Sequence, residues 1–155
     1  HKDRTSPWTQ QELEKLSPAV LVNQKQWKLT SSHGAGSLGG CVDHDLGSRY
    51  TTSAPQKPGM WVQIELPKVS EVSQITLDAG DSRGDYPRGY EVVASLDGKT
   101  WSKPIARGDG KSVVTKIKFD PTKAKFLKIT QTKKDTGLFW SIHELALNGK
   151  ELATK

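Results

Sequence analysis

The chain has one cysteine, Cys41, so no disulfide can close within it and packing alone has to hold it together. It has no apolar run approaching the ~18–20 residues that a helix needs to cross a bilayer, which excludes insertion of that kind. The short motifs of catalysis are also missing. There is no Gly-x-Ser-x-Gly elbow, no His-Glu-x-x-His, no phosphate-binding glycine loop and no Cys/His pairing at metal spacing. Asp81 and Asp85 form a carboxylate pair, but they share a short loop that gives neither an evident acid–base role. His143, between Ile142 and Glu144, reads as a structural hydrogen-bonding residue. No enzyme is expected on this stretch of chain. There is no internal repeat, no low-complexity tract and no charged-then-apolar leader. Beginning at His1 without Met, the chain reads as a piece cut from a longer polypeptide.

What is present fits one domain. An apolar content of 34% over 155 residues is enough for a core, and Gly 14 with Pro 8 suits strands and turns. The net charge of +6 is unevenly spread: residues 1–98 hold 10 basic and 12 acidic side chains, residues 99–155 hold 13 and 5. The C-terminal part is a surface suited to a polyanion such as a sulfated or uronic-acid polysaccharide. It is also what solubility and edge protection require, since most of these residues are lysines with no arginine cluster for bidentate anion binding. No nucleic-acid partner is expected.

Residues 1–24 differ from the rest. Thr5 or Ser6 can cap a short helix with Pro7 in its first turn and Leu13 and Leu16 on one side, ended by Pro18. This is a linker or a segment packed outside the main body. From Gln26 onward, short alternating runs are separated by turn residues, the pattern of an all-β sandwich or barrel. Trp27, Leu29 and Ser31 alternate with polar neighbours. Residues 61–66 alternate and stop at Pro67, and residues 72–77 form the next strand. Val113, Thr115, Ile117 and Phe119 share one face opposite Lys116 and Lys118, closed by Pro121. Residues 126–130 follow, and residues 140–147 form the last strand, ended by Asn148-Gly149. Loops 33–40, 51–58 and 80–88 are rich in Gly, Ser and Pro, the setting in which function usually sits on a rigid sandwich.

The most telling stretch is Asp85-Tyr-Pro-Arg-Gly-Tyr-Glu-Val-Val-Ala-Ser-Leu-Asp-Gly-Lys-Thr-Trp101. Pro87 belongs at a strand's start, Tyr90, Val92 and Ala94 alternate with Glu91, Val93 and Ser95, and Asp97-Gly98 signals a hairpin. This wording resembles the pattern YPRxYxVxxSxDGxxW of the discoidin, or coagulation-factor type C, superfamily, and within it the family 32 carbohydrate-binding modules of bacterial enzymes. The resemblance covers residues 26–149. It implies a discoidin-like jelly-roll β-sandwich of about eight antiparallel strands over residues 25–150, with an N-terminal linker at 1–24 and a tail at 151–155. It also implies a lectin-like, non-catalytic role. The lone cysteine departs from animal relatives, which staple their termini, and points to a bacterial one.

Asp43, Asp45 and Ser48 put two carboxylates and a hydroxyl on a loop made pliable by Gly47, a reasonable source of oxygens for a hard cation. The resemblance implies a structural Ca²⁺ here, held by Asp43, Asp45 and Ser48 and completed by Glu144. His44 stands where the family has Gly, and Ser48 where it has Thr. Sugar recognition needs an aromatic face and directional hydrogen bonds. In the relatives these come from loops at one end of the sandwich. The matching candidates are His33, Arg83, Asp85, Tyr86, Arg88 and Phe139, with Arg83 and Asp85 alternatively pairing in their own loop and Arg88 pointing either inward or toward the loops. Phe139 and Trp8 are aromatics without evident core duty, whereas Trp61, Trp101 and Trp140 are assigned to packing.

The reading is therefore a monomeric carbohydrate-binding module of a larger secreted bacterial protein, tethering a catalytic domain in cis to polysaccharide. The preferred ligand is acidic or sulfated glycan, then galactose- or fucose-type sugar. The alternative is a protein-adhesion or scaffold domain packed on a catalytic neighbour. Lipid binding ranks low, because loops 33–40 and 51–58 offer only Leu38 and, just beyond, Met60 as large apolar residues.

Overall fold

The computed structural model describes residues 19–153. Eight strands follow in chain order: β1 Lys28–Ser31, β2 Tyr50–Pro55, β3 Trp61–Asp78, β4 Tyr90–Ser95, β5 Ala106–Gly108, β6 Val114–Gln131, β7 Phe139–Ile142 and β8 Glu144–Glu151. All named pairings are antiparallel, and two 3₁₀ turns, Gln24–Gln26 and Ala35–Cys41, complete the regular structure of the described residues. The expected all-β jelly-roll sandwich is what forms. The helix expected around Pro7, and Trp8 with it, lie outside the described residues.

The scaffold is one long ladder. β3 and β6 are each 18 residues long and pair along their length. At one half, Trp61–Glu65 against Phe126–Thr130, β1 flanks β3, and β4 followed by β5 flanks β6. At the other half β8 takes the free edge of β3. Pro67 and Pro121 were expected to end strands, yet the chain runs through both. Between Glu65 and Ser70, four residues of β3 face Lys125 alone, and Ser73 faces residues 119–121 of β6. Each proline falls in one of these bulges, where its missing N–H removes no ladder bond.

The bulges bend the ribbon, and the inner faces of both halves meet in one core. Val62, Ile64, Leu127 and Ile129 come from the first half, Val72, Ile75, Leu145 and Leu147 from the second, all fully buried. Each such side chain contributes roughly 1.5–3 kcal/mol relative to exposure. β2 and β7 form a small second sheet, in which Tyr50 and Trp140 meet edge to face at 6.3 Å.

Four further expectations change. Loop 51–58 is in part strand, because residues 50–55 pair with β7. The single last strand over residues 140–147 breaks at His143, with β7 in the small sheet and β8 in the large one. Asn148-Gly149 does not end β8, which runs on to Glu151. Asp97-Gly98 opens a ten-residue connection to β5, not a two-residue hairpin; Gly98 takes φ +77° and the Asp97 carboxylate accepts from the N–H groups of Lys99 and Thr100. The segment leading in also lies on the sandwich: Leu21 N–H donates to Leu147 O, Gly149 N–H donates to Ala19 O, and Leu21 is buried.

Gly149 is required by close approach, since a Cβ there would stand 2.1 Å from Glu71 O in the neighbouring strand. Gly149→Ala is expected to destabilise the domain by about 3 kcal/mol in urea unfolding, and the exposed neighbour Lys150→Ala by less than about 0.5 kcal/mol. Equal effects at the two positions would refute the close-approach argument.

Candidate functional site

The strand directions bring several loops to one end of the large sheet. Ser31 ends β1 there, Trp61 starts β3, Tyr90 starts β4 and Gln131 ends β6, so the loops at 32–34, 56–60, 84–89 and 132–138 are neighbours. Their hub is Gln56, buried and overlooked in the sequence. Its Nε2 donates to Tyr86 O at 2.8 Å and Phe139 O at 3.1 Å, and its Oε1 accepts from Arg88 N–H at 3.0 Å. Its backbone N–H donates to Leu138 O and its carbonyl accepts from Asp135 N–H. One amide thus ties three loops together. The only sequence signal was its place between Pro55 and Lys57-Pro58, outside any helical or strand period.

Arg88 is the second staple. Its Nε donates to Asp135 Oδ2 at 3.0 Å, Nη1 to Tyr86 O and Nη2 to Gly84 O, both at 2.8 Å. The guanidinium also lies 4.2 Å from the centroid of the Tyr86 ring. Of the two directions open to it, Arg88 takes the loop cluster. Every nitrogen of its fork is engaged, which makes its role the shape of the loops.

Asp85 is buried and faces inward. Its Oδ2 accepts from Ser141 Oγ at 2.6 Å, and Arg49 Nη1 stands 3.8 Å away. It does not pair with Arg83, which is exposed and makes no hydrogen bond or ion pair among the described residues. The other accessible groups of these loops are the half-buried Tyr86 and Phe139 and the side chain of Leu138, 40% exposed. Leu138 packs against Gly84 and was not anticipated. His33 lies at the same end, beside β3; its carbonyl accepts from Tyr50 OH at 2.7 Å and its Nδ1 meets Ser32 Oγ at 3.0 Å. Leu38 and Met60 are both buried, so neither gives these loops an apolar tip.

Below this cluster a polar relay locks loop 80–85 to the acidic loop. His143 is buried; its Nδ1 faces Leu46 O, which can only accept, so Nδ1 carries the proton. Nε2 then accepts from Ser82 Oγ at 2.8 Å, and Ser82 Oγ accepts from Arg49 Nη1 at 2.7 Å. Gly80, at φ +53°, leaves room for the ring, since a Cβ there would lie 2.6 Å from His143 Cγ.

In the acidic loop, Asp43 Oδ1 accepts from Asp45 N–H at 3.0 Å and Asp45 Oδ1 from Gly47 N–H at 2.8 Å. Both aspartates are exposed, Ser48 is half-buried, and His44 takes φ +60° where Gly would sit unstrained. Glu144 reaches the same region from β8. Its Oε2 accepts from Gln24 Nε2 at 3.1 Å and lies 3.9 Å from His44 Nδ1. Glu144 Oε1 and Gln24 Oε1 are both buried without a partner, a costly state for two oxygens beside one cavity of about 330 Å³ that His44, Leu46 and Asp78 also line. These orphaned oxygens fit a hard cation. The set is smaller than a full ligand shell, because no three Asp, Glu, His or Cys side chains converge among the described residues. Buried Cys41 lies close by. Burial, then the Glu144 and Asp43 charges, push its thiol up to about 12.

The F5/8 type C domain family matches residues 26–145. No curated protein matches the chain. Among solved structures, the family 32 module of Clostridium perfringens NanJ in complex with galactose superposes with a TM-score of 0.70 at 22% identity, over 84% of this chain and 98% of that one. Chitosan-binding module 2 of a Paenibacillus sp. IK-5 chitosanase/glucanase, in complex with chitotriose, gives 0.68 at 23%, over 80% and 97%. The chain carrying the CBM32-1, CBM32-2 and M60 catalytic domains of C. perfringens ZmpB gives 0.71 at 22%, over 86% of this chain and 15% of that one.

The Asp135 carboxyl is held below its ordinary value, first by the N–H groups of Gly137 and Leu138 and then by Arg88. A lowered folded pKa stabilises the fold above the ordinary carboxylate range, and that stabilisation is lost as pH falls through it. Asp135→Asn is therefore expected to lower Tm at pH 6 and to flatten the decline in Tm below about pH 4. An unchanged acid limb in thermal melts would mean that the carboxylate does not organise the loop.

Proposed function

The chain belongs to the F5/8 type C domain family, and on that premise we propose that it is a non-catalytic carbohydrate-binding module. The supporting observation is the division of labour at the loop end. Gln56, Arg88 and Asp135 hold the loops in place by bonds to backbone, while Arg83, Tyr86, Leu138, Phe139 and His33 stay accessible on a pre-shaped rim. Sugar rings need such a mixture of apolar surface and directional donors. The relatives solved with galactose and chitotriose share the sandwich. The basic C-terminal half favours acidic or sulfated polysaccharide, with galactose- or fucose-type sugars next.

A single shallow site of this kind gains its effect by tethering. In this reading the module acts as a monomer in a secreted bacterial protein, keeping a catalytic domain in cis near its polymer. Glu144, with Gln24 and the 43–48 loop, holds a structural Ca²⁺. Bound there, the ion would supply positive charge to the orphaned oxygens and tie the loop to β8.

Affinity electrophoresis against galactan, chitosan and polygalacturonate at low and moderate salt tests the reading. Arg83→Ala is expected to weaken retention about tenfold at unchanged Tm, a loss of roughly 1.4 kcal/mol. Migration of the intact protein unaltered by every glycan would sink it.

For the cation, Ca²⁺ in 100-fold excess over its Kd is expected to stabilise by about 2.7 kcal/mol, read as a rise in Tm that chelator reverses. Glu144→Gln should abolish the response. A Tm indifferent to both Ca²⁺ and chelator would remove the ion from the account.

A further inference from the structure

The outward face of the large sheet carries a track of aromatic rings and lysines that packing does not absorb. Lys128 of β6 lies opposite Gln63 of β3 and Val93 of β4. Its Nζ stands 4.5 Å from the centroid of the Trp101 ring and 5.4 Å from that of Trp61, bridging the two indoles. Trp101 meets Phe126 edge-on at 6.4 Å, and Lys125 Nζ lies 5.5 Å from the Phe126 centroid. All five side chains are only partly buried, unlike the core-facing residues between them on β3 and β6. Both Trp61 and Trp101 were expected in the packed interior.

The track lies on the first half of the sheet, where Trp61–Glu65 pair with Phe126–Thr130. Trp61 sits at the loop end, where its carbonyl accepts from the N–H of Ser32, next to His33. On the other side of Lys128, Trp101 lines a groove of about 430 Å³ with Leu96, Asp97, Thr100 and Lys123, and Leu96 is 58% exposed.

The charge on this face is unbalanced. Its carboxylates are already engaged: Glu65 takes Lys125 at 3.0 Å, Glu91 takes Arg107 at 2.9 Å, and Asp97 accepts from the N–H groups of Lys99 and Thr100. Lys128 forms no ion pair among the described residues and is left as a cation between two ring faces. The rings shield that ammonium from water on two sides, so an anion approaching from the open side meets a partly desolvated charge.

We propose that this track extends the glycan site along the sheet and binds a polysaccharide whose sugars carry carboxylate or sulfate. Sugars lie against the exposed parts of Trp61 and Trp101 that Lys128 leaves uncovered, while their anionic groups meet Lys128. The inference rests on the carbohydrate-binding reading above and adds a second surface to it, with its own ligand chemistry.

Four proteins separate the two claims: the intact domain, Lys128→Gln, Trp101→Ala and the loop-end variant Arg83→Ala. Each is run against polygalacturonate, heparin and neutral galactan, with melting curves as a folding control. The expected result is that Lys128→Gln weakens retention on polygalacturonate and heparin at least tenfold and changes galactan less than twofold, at unchanged Tm. Trp101→Ala should follow the same pattern; if it melts early, Lys128→Gln alone decides. Intact protein retained on polygalacturonate, with Lys128→Gln retained equally well, would overturn the track and leave the module reading intact. Intact protein retained on no glycan would end both. Tighter, Lys128-dependent capture of a single-stranded DNA oligonucleotide than of polygalacturonate would also overturn the proposal, by assigning the face to another polymer.

Discussion

Everything in this domain hangs on the pairing of two 18-residue strands. β3 and β6 are too long to remain flat within a small body, and the bulges at residues 66–69 and 119–121 are what allow the ladder to bend. The bend turns one hydrogen-bonded ribbon into the frame of a sandwich: its first half recruits β1, β4 and β5, and its second half recruits β8. Because the backbone bonds of β3 and β6 run across the bend, neither half can form its share of the core without registering the other. The loops at the end of the first half inherit their positions from that register.

At the loop end the residues that set shape are distinct from those offered to solvent. Gln56 and Arg88 make their bonds mainly to carbonyl groups, so they fix backbone paths whatever side chains the loops display. This leaves the rim positions at Arg83, Leu138 and Phe139 free to vary in chemistry without disturbing the frame. The accompanying relay from Leu46 through His143 and Ser82 to Arg49 does the same for the neighbouring loop, and binds it to the segment from which Glu144 projects.

Sequence reading reached the fold because alternation over β3, β4 and β6 is a local signal, and the wording from Asp85 to Trp101 is specific. It divided β3 and β6 at Pro67 and Pro121, since a bulge is visible only in the pairing partner and a proline alone looks like a stop. It joined β7 to β8, because hydrophobicity continues through His143 while the sheet changes. Of the site, the exposed Arg83 was legible from its loop. Gln56 was not, as an isolated glutamine carries no pattern and its importance arises from contacts 30 and 83 residues away. The inward turn of Asp85 was equally hidden, set by Ser141 on a strand far along the chain. Trp61 and Trp101 were assigned to the core because tryptophan usually goes there, whereas the β3 period places position 61 outward and the connection to β5 lays Trp101 across the same face.

The pairing of the lead-in segment with β8 has a mechanical consequence. Ala19 is bonded to Gly149, Leu21 to Leu147, and Leu152 to Val69, so the polypeptide enters and leaves the sandwich at adjacent points. Tension drawn along the chain is carried across that narrow junction, not through the depth of the domain. A handful of backbone bonds loaded together at the junction would yield before the β3–β6 ladder felt the pull. The domain would then behave as a pendant on a cord, with the load kept at the junction and the sandwich spared.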